Sequence, residues 1–157
     1  MRIPSLILSL LIFCLPTSLC AQAAASSFAA QKGTLPAPIS GNFTVQNPYG
    51  SYRVGGIELG SKGIFLRGKS GCHARNIYEG KVSAIYQFDS GYCVIVRHGT
   101  YLSVYHNLEE PNVKVGQTVK KEANLGRVAR NALDERILHF QLRQEREPLN
   151  PLQWLKL

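Results

Sequence analysis

The sequence lacks the motifs that assign many proteins to a common enzyme class. It has no glycine-rich phosphate loop ahead of a predicted helix and no Gly-x-Ser-x-Gly nucleophile elbow. It has no Cys-x-x-Cys pair, which argues against thiol–disulfide redox chemistry. Internal repeats and heptad arrays are also absent, so neither a solenoid nor a coiled coil is expected.

Histidine is scarce in this sequence, but any catalytic or metal-binding chemistry is expected to involve the histidine side chains. The four histidines are His73, His98, His106 and His139. None belongs to a His-x-His or His-x-x-x-Asp pair, whereas a catalytic zinc needs three protein ligands and an open position for water. Spacing alone therefore predicts no metal site. We expect His73 to be solvated on a loop, His98 to bond locally in a hairpin turn, and His106 to be partly buried and hydrogen-bonded.

The chain begins with the features of a secretory signal peptide. Arg2 gives a positive start, residues 6–15 form an almost unbroken apolar run, and residues 21–23 are a small-x-small cleavage site. The apolar run is shorter than the roughly 20 residues that span a membrane. Residues 1–23 are therefore predicted to be a signal peptide, and the mature chain to be periplasmic or in the cell envelope without an integral membrane segment. Lipoprotein anchoring at Cys20 is the alternative, although the bulky Leu19 before it is unfavourable.

The composition predicts one basic, exported domain. Removing residues 1–23 leaves 134 of the 157 residues and lowers the net charge from +8 to +7, because only Arg2 is lost. A positive charge favours anionic partners such as acidic lipids or carboxylate-bearing wall polymers. Export argues against nucleic acid. The basic residues are scattered along the chain, which predicts a solvated surface rather than a dedicated patch.

Two cysteines remain after the predicted cleavage. Cys14 and Cys20 leave with the signal peptide, whereas Cys72 and Cys93 stay, each in or beside a predicted strand. In an exported protein this pair predicts a structural disulfide. Two buried free thiols are the alternative.

The domain organisation follows from the turn residues. Residues 24–34 are expected to be a short tether, because this segment is mostly small and polar. Residues 35–157 are expected to form one all-β domain, in which short apolar or alternating runs predict strands near residues 42–46, 56–59, 63–66, 81–88, 93–96 and 101–105, with further short strands beyond. Only residues 131–136 are predicted to form a helical turn.

The clearest strand signal lies near the C-terminus. Leu138, Phe140 and Leu142 alternate with a second set that lies on the opposite side: Ile137, His139, Gln141 and Arg143. A period of two is typical of a half-buried strand, so the Leu/Phe/Leu face is predicted to face the core. The face that carries His139 is then where a functional site is expected.

Residues 33–155 contain an ordered set of short motifs: Gly63-Ile64-Phe65-Leu66, Gly71-Cys72, Glu79-Gly80-Lys81-Val82, residues 91–99, Tyr105-His106-Asn107-Leu108, residues 115–119 and residues 138–143. Taken in this order, the motifs resemble those of the LytM-type, lysostaphin-like zinc metallopeptidases, which cut peptidoglycan cross-links. The resemblance implies an antiparallel β domain of the duplicated-hybrid-motif type.

The zinc site of that family is largely replaced in this sequence. The resemblance places the first zinc histidine and the zinc aspartate at positions that hold Ser61 and Phe65 here. The family's closing pair is a catalytic histidine followed by a zinc histidine, and those two positions hold Ile137 and His139 here. The family's other catalytic histidine corresponds to His106. One imidazole does not hold a catalytic zinc, so no cofactor and no proteolysis by the family mechanism are expected.

The replaced site resembles one branch of the family, the EnvC-type murein hydrolase activators. Residues 32–41 and 150–155 also resemble that branch. Its zinc-free groove binds a zinc-dependent N-acetylmuramoyl-L-alanine amidase and switches it on for cell separation. The resemblance implies the same non-enzymatic role here, with a partner-binding groove formed by Ser61, Phe65, His106, Ile137, His139, Gln141 and Arg143. These activators usually carry a coiled coil and a regulatory helix, and neither is predicted for residues 24–34.

Two other function classes remain open. One is a zinc endopeptidase in which Glu58 or His73 joins His139 as a ligand. The other is a passive module that holds peptidoglycan in the former substrate groove.

Overall fold

The computed structural model describes residues 17–157, which are almost entirely strand and turn. The elements are α1 (Thr17–Ala29), β1 (Phe43–Asn47), β2 (Gly50–Val54), β3 (Ile57–Ser61), β4 (Ile64–Gly68), β5 (His73–Arg75), β6 (Gly80–Phe88), β7 (Gly91–His98), β8 (Tyr101–Leu108), β9 (Thr118–Val119), β10 (Asn124–Arg127), β11 (Arg136–Gln144), β12 (Glu147–Leu149) and a 3₁₀ helix (Pro151–Gln153). The predicted all-β fold class is confirmed.

The main sheet is antiparallel and has β11 near its centre. Its strand order is β1-β4-β11-β8-β7-β6-β9, and β12 pairs with the last residues of β11. Two smaller pairs, β2 with β3 and β5 with β10, lie outside this sheet. Because β4 and β8 flank β11, side chains from three strands meet around its middle.

The predicted alternation of β11 is confirmed. Leu138, Phe140 and Leu142 are fully buried, whereas Ile137 and the other members of the second set are only partly buried. The core continues across the same sheet face and onto β5 and β10, where it includes Ala74 and Leu125. Burial of this continuous apolar face is the main stabilising contribution to the fold.

One buried hydroxyl connects the sheet to the loop behind it. Tyr105 of β8 is fully buried, and its hydroxyl accepts a hydrogen bond from Ile77 N at 3.0 Å and donates one to Asn76 Oδ1 at 3.3 Å. Burial raises the pKa of this phenol far above its ordinary value. The hydroxyl is therefore a satisfied structural group.

The segment before β11 forms no helical turn, in contrast to the prediction. Asn131 Oδ1 accepts hydrogen bonds from Leu133 N and Glu135 N, both at 2.9 Å, and Asp134 has a φ of 60°. An isolated bridge pairs Arg130 with Arg136. The asparagine side chain thus stabilises a tight loop and competes with the helical backbone pattern.

The N-terminal segment also differs from the expected tether. Residues 24–29 belong to α1, and Phe28 is 0% exposed. Its ring stacks on His98, Tyr101 and Trp154 at centroid distances of 4.9, 4.8 and 5.6 Å. Small polar residues predicted a solvated link, but one aromatic side chain is enough to hold the segment against the domain.

The predicted apolar core of the signal peptide lies outside the described residues. Cleavage after Ala23, which falls within α1, remains a prediction. Within residues 17–157, no helix has the length and apolar character needed to cross a membrane.

The predicted disulfide is absent, and Cys72 and Cys93 are buried free thiols. A Cβ added at Gly68, on the core face of β4, would come within 2.6 Å of Cys72 Sγ. Cys93 lies opposite His106 in the β7–β8 ladder and so faces the other side of the sheet. Two thiols on opposite faces of one sheet cannot be bridged.

The two histidines outside the site are more buried than expected. His98 is 2% exposed, donates from Nδ1 to Glu79 O at 2.9 Å and accepts at Nε2 from Ser103 Oγ at 2.8 Å. Burial lowers its pKa to about 4. His73 lies in β5 and is partly buried rather than on a solvated loop, and burial together with Arg75 lowers its pKa.

Candidate functional site

A row of side chains crosses the sheet on the face opposite the core. Phe65 of β4 pairs with His139 of β11, His139 pairs with His106 of β8, and His106 pairs with Cys93 of β7. Directly paired residues of antiparallel strands point to the same face. The two histidines therefore meet because the register brings them together, although they are far apart in sequence.

Aromatic packing fixes the two imidazoles. The rings of Phe65 and His139 stack with centroids 4.3 Å apart and an interplanar angle of 8°. His106 packs edge-on against His139 at 6.1 Å and against Phe88 at 5.1 Å. The residue at the family's aspartate position is therefore an apolar ring that covers one face of the remaining zinc-ligand histidine.

Both imidazoles carry a nitrogen without a protein partner. His106 Nε2 and His139 Nε2 are buried and make no hydrogen bond to the described residues. A Cβ at Gly63 would lie 3.1 Å from His139 Nε2, so this nitrogen is close to the Gly63 backbone. Buried polar atoms of this kind are uncommon in structural roles and mark a candidate ligand-binding site.

Burial keeps both imidazoles neutral. It lowers the pKa of His139 to about 4, with the neighbouring His106 as a second cause. It also lowers the pKa of His106. Neither imidazole therefore supplies a positive charge to the site near neutral pH.

The site is a groove of about 400 Å³ whose wall residues come from the loops and strand ends around this row. Its lining consists of Phe65, Ser90, His106, Asn107, Asn131, Ile137 and His139. The aromatic and aliphatic side chains form the floor, and Ser90 with the two asparagines supplies polar edges. Phe88, which is 51% exposed, packs beside His106 at the border.

Three residues of the sequence-predicted groove do not line it. Ser61 Oγ is bonded to its own turn, accepting from Gly63 N at 3.2 Å and donating to Gly63 O at 2.7 Å. Gln141 and Arg143 share the face of His139 but bond to each other at 3.2 Å, and Arg143 also donates to Arg146 O at 2.7 Å. The structure brings together only Phe65, His106, Ile137 and His139 of the predicted set.

Asn107 and Asn131 were missed by the sequence analysis. Asn107 has a φ of 78°, and its Nδ2 donates to Ile137 O at 2.7 Å, which ties the end of β8 to β11. Asn131 stabilises the loop that precedes β11. Asparagine is the residue that tolerates left-handed backbone and stabilises turns, and this preference was the available signal.

The loop that carries Asn131 is held by ion pairs at the edge of the groove. Arg67 of β4 pairs with Glu135, and Arg130 pairs with Asp134 at 3.1 Å. Leu133 at the tip of this loop is 78% exposed. The loop thus carries Asn131 at the groove and an exposed apolar side chain at a separate cavity that Arg67 and Arg136 also line.

The residues present do not fit a catalytic zinc. Such a site needs three protein ligands in a convergent arrangement. Here only two imidazoles converge, and Ser61, Phe65 and Ile137 occupy the other family positions. Among residues 17–157, no group of three His, Cys, Asp or Glu side chains is placed to hold a metal, so Glu58 and His73 do not complete a set with His139.

Comparison with known proteins identifies the relatives of this fold. Residues 60–151 match the profile described as Peptidase family M23. Over 66 residues the chain is 35% identical to a Lipoprotein NlpD/LppB homolog of Pseudomonas aeruginosa, covering 41% of this chain and 22% of the relative. The chain spans about a fifth of the length of the curated relatives it matches.

Two solved structures illustrate the shared architecture. A chain of the SpoIIQ–SpoIIIAH pore forming complex superposes with a TM-score of 0.67 at 23% identity, over 79% of this chain and 92% of that chain. Lysostaphin from Staphylococcus simulans superposes with a TM-score of 0.59 at 23% identity, over 71% of this chain and 49% of that one. These matches confirm the lysostaphin-like fold that the sequence resemblance implied.

Proposed function

The chain belongs to peptidase family M23, and we propose that it is an exported, non-enzymatic activator of peptidoglycan hydrolysis. In this proposal the groove binds a zinc-dependent N-acetylmuramoyl-L-alanine amidase and displaces an autoinhibitory segment of that enzyme. The similarity to a lipoprotein of the NlpD/LppB type supports a location in the cell envelope and a role related to peptidoglycan.

The stacking of Phe65 on His139 is the observation that carries the proposal. A ring 4.3 Å from the imidazole lies where the family mechanism needs a carboxylate ligand. With an apolar ring at this position, the residues present fall short of the three ligands that hold the zinc which activates water and polarises a scissile carbonyl. What it retains is shape, apolar surface and a few hydrogen-bonding groups.

These remaining features suit a protein partner. Phe65 and Ile137 offer an apolar floor, while Ser90, Asn107 and Asn131 offer polar edges. Protein interfaces combine an apolar centre with a polar rim in the same way. The exposed Phe88, which packs against His106, extends the apolar surface at one border, which gives a partner helix or loop more area than the groove alone.

Helix α1 is docked on the domain through Phe28, so it lies outside the groove that the proposal assigns to the amidase.

A zinc endopeptidase is the second candidate: residues 17–157 do not supply three zinc ligands, but His106 Nε2 and His139 Nε2, which have no partner among these residues, favour it. Zinc that remains at one equivalent per chain after dialysis would support this enzyme. A passive peptidoglycan-binding module is the third class. Sedimentation with purified sacculi, together with unchanged amidase activity, would support that module.

The direct test is dye release from labelled sacculi by the organism's own amidases, with and without this protein. We expect release to rise when the protein is added and no release from the protein alone. Ile137→Asp should abolish the stimulation, because it places a charge in the groove floor. Leu152→Asp is the matched control, because Leu152 is an exposed apolar residue of the 3₁₀ helix outside the groove. Equal stimulation by the two variants would contradict the proposal.

A further inference from the structure

A second concave site lies at the other end of β7 from the groove. It is a cleft of about 710 Å³ between α1 and the β6–β9 edge of the main sheet. Its walls include the backbone and small side chains of α1, the ring of Tyr78, and four basic side chains: Lys81, Arg97, Lys120 and Lys121. Glu79 is the one carboxylate of the lining. Neither the family relationship nor the proposed amidase contact makes use of this cleft.

The fold gathers cations that are scattered in sequence. Lys81 is paired with Arg97 across β6 and β7, and with Thr118 across β6 and β9. Lys120 and Lys121 follow β9 directly. Four cations that are dispersed in the sequence therefore lie together at this edge.

The opposed cations are incompletely neutralised. Like charges directly opposite each other in an antiparallel pair are destabilising. Arg97 is compensated by Glu145 at 3.0 Å, but within residues 17–157 no carboxylate lies within 4.0 Å of the ammonium of Lys81, Lys120 or Lys121. An anion seated between these lysines would relieve the repulsion.

The cleft wall on the helix side is formed by a close approach of backbones. A Cβ at Gly99 would lie 2.4 Å from Ala25 N and 2.9 Å from Ala25 Cα, so only glycine lets the part of α1 that stays after the predicted cleavage, residues 24–29, pack this near to the β7–β8 turn. Phe28 then holds the helix in place against His98. The cleft is thus a built concavity with one helical wall, rather than a flat patch of lysines.

We propose that this cleft binds an oligosaccharide that carries carboxylate groups. The lysines supply point charges for the carboxylates, and the apolar wall that includes Tyr78 and Ala24 suits the nonpolar face of a sugar ring. The volume is within the usual range of small-ligand sites, about 300–1,000 Å³, which is room for a short oligosaccharide. A concave site disfavours a flat membrane surface as the ligand. This inference does not rest on the proposed function.

The test is isothermal titration of the purified protein with tetragalacturonic acid. We expect saturable binding that weakens several-fold when salt is raised from about 50 to about 200 mM, because salt screens exposed charges. The amide resonances of Gly80, Gly99 and Thr118 should shift on binding, since these residues line the cleft. Lys120→Gln with Lys121→Gln should weaken binding by about tenfold.

The control variant is Lys114→Gln with Lys156→Gln, which removes the same charge from exposed positions outside the cleft. It should bind as the wild type does. Equal weakening in both variants would show that net charge alone is responsible and would overturn the proposal. The proposal would also be overturned if neutral maltotetraose or tripolyphosphate bound as tightly as tetragalacturonic acid. Binding to anionic vesicles without binding to tetragalacturonic acid would overturn it as well. Thermal melting of each variant checks that the fold is intact.

Discussion

On one face of β11, Leu138, Phe140 and Leu142 are fully buried among apolar neighbours. On the other face His139 stacks on Phe65, and its Nε2 has no partner among residues 17–157. Both faces share one backbone ladder and one register. The core face meets the requirements of stability, including the satisfied hydroxyl of Tyr105. The site face tolerates unsatisfied groups and exposed aromatics. That tolerance is expected where a surface is used for binding rather than for stability.

The largest expected effect is on the free energy of unfolding, when an aromatic side chain is truncated on one face of the main sheet or on the other. Phe140→Ala should lower the free energy of unfolding by about 3–5 kcal/mol, because it leaves a cavity in the packed core. Phe65→Ala removes a partly buried ring whose stacking contributes about 0.5–1.5 kcal/mol beyond its burial, so its cost should be clearly smaller. Urea unfolding measures both. Equal losses would break the distinction between the faces.

The next comparison is between a satisfied and an unsatisfied histidine. His98→Leu leaves Glu79 O and Ser103 Oγ without their ring partner and should cost about 1–3 kcal/mol. His139→Leu removes a buried nitrogen that has no partner in the described part of the chain, so it should be neutral or stabilising. The same unfolding assay decides the comparison, and a strongly destabilised His139→Leu would mean that its imidazole is bonded in solution.

Much of the core face could be predicted from sequence, because the alternation at Leu138, Phe140 and Leu142 is local. The same alternation placed His139 on the site face, whereas His106 was assigned to the site only through the family resemblance, since strand register joins the two over a long sequence separation. The groove edge was missed where it depends on loops, as at Asn107 and Asn131. Helix α1 was missed because a single residue, Phe28, decides its docking through distant aromatics.

The pH dependence of stability sharpens the contrast further. Burial holds the pKa of His98 and of His139 at about 4, below the ordinary 6.5 of imidazole. The unfolded chain therefore binds more protons between these values. The contribution of these two neutral histidines to stability is fully present above their pKa in the unfolded chain. It is lost as the pH falls through their pKa in the folded protein. The melting temperature should decline from about pH 6.5 to about pH 4, and less steeply in His139→Leu. A melting temperature that rises on acidification would contradict the assignment of neutral, buried imidazoles.

The smallest expected effect concerns the loop at the groove edge. Arg67→Ala removes the ion pair with Glu135, in which the arginine side chain is about half exposed. Partly exposed pairs contribute about 0–1 kcal/mol, so global stability should change little. Hydrogen exchange of the amides in residues 131–135 should nevertheless accelerate. Unchanged exchange would show that the Asn131 side chain alone fixes this loop.

The measurement that tests the central claim most directly is the zinc content of the protein after incubation with zinc and exhaustive dialysis. The account predicts far less than one equivalent in the wild type. The comparator is the triple variant Ser61→His, Phe65→Asp and Ile137→His, which should retain more zinc and stimulate the amidase less. One tightly held zinc per wild-type chain, lost in His139→Leu, would contradict the account.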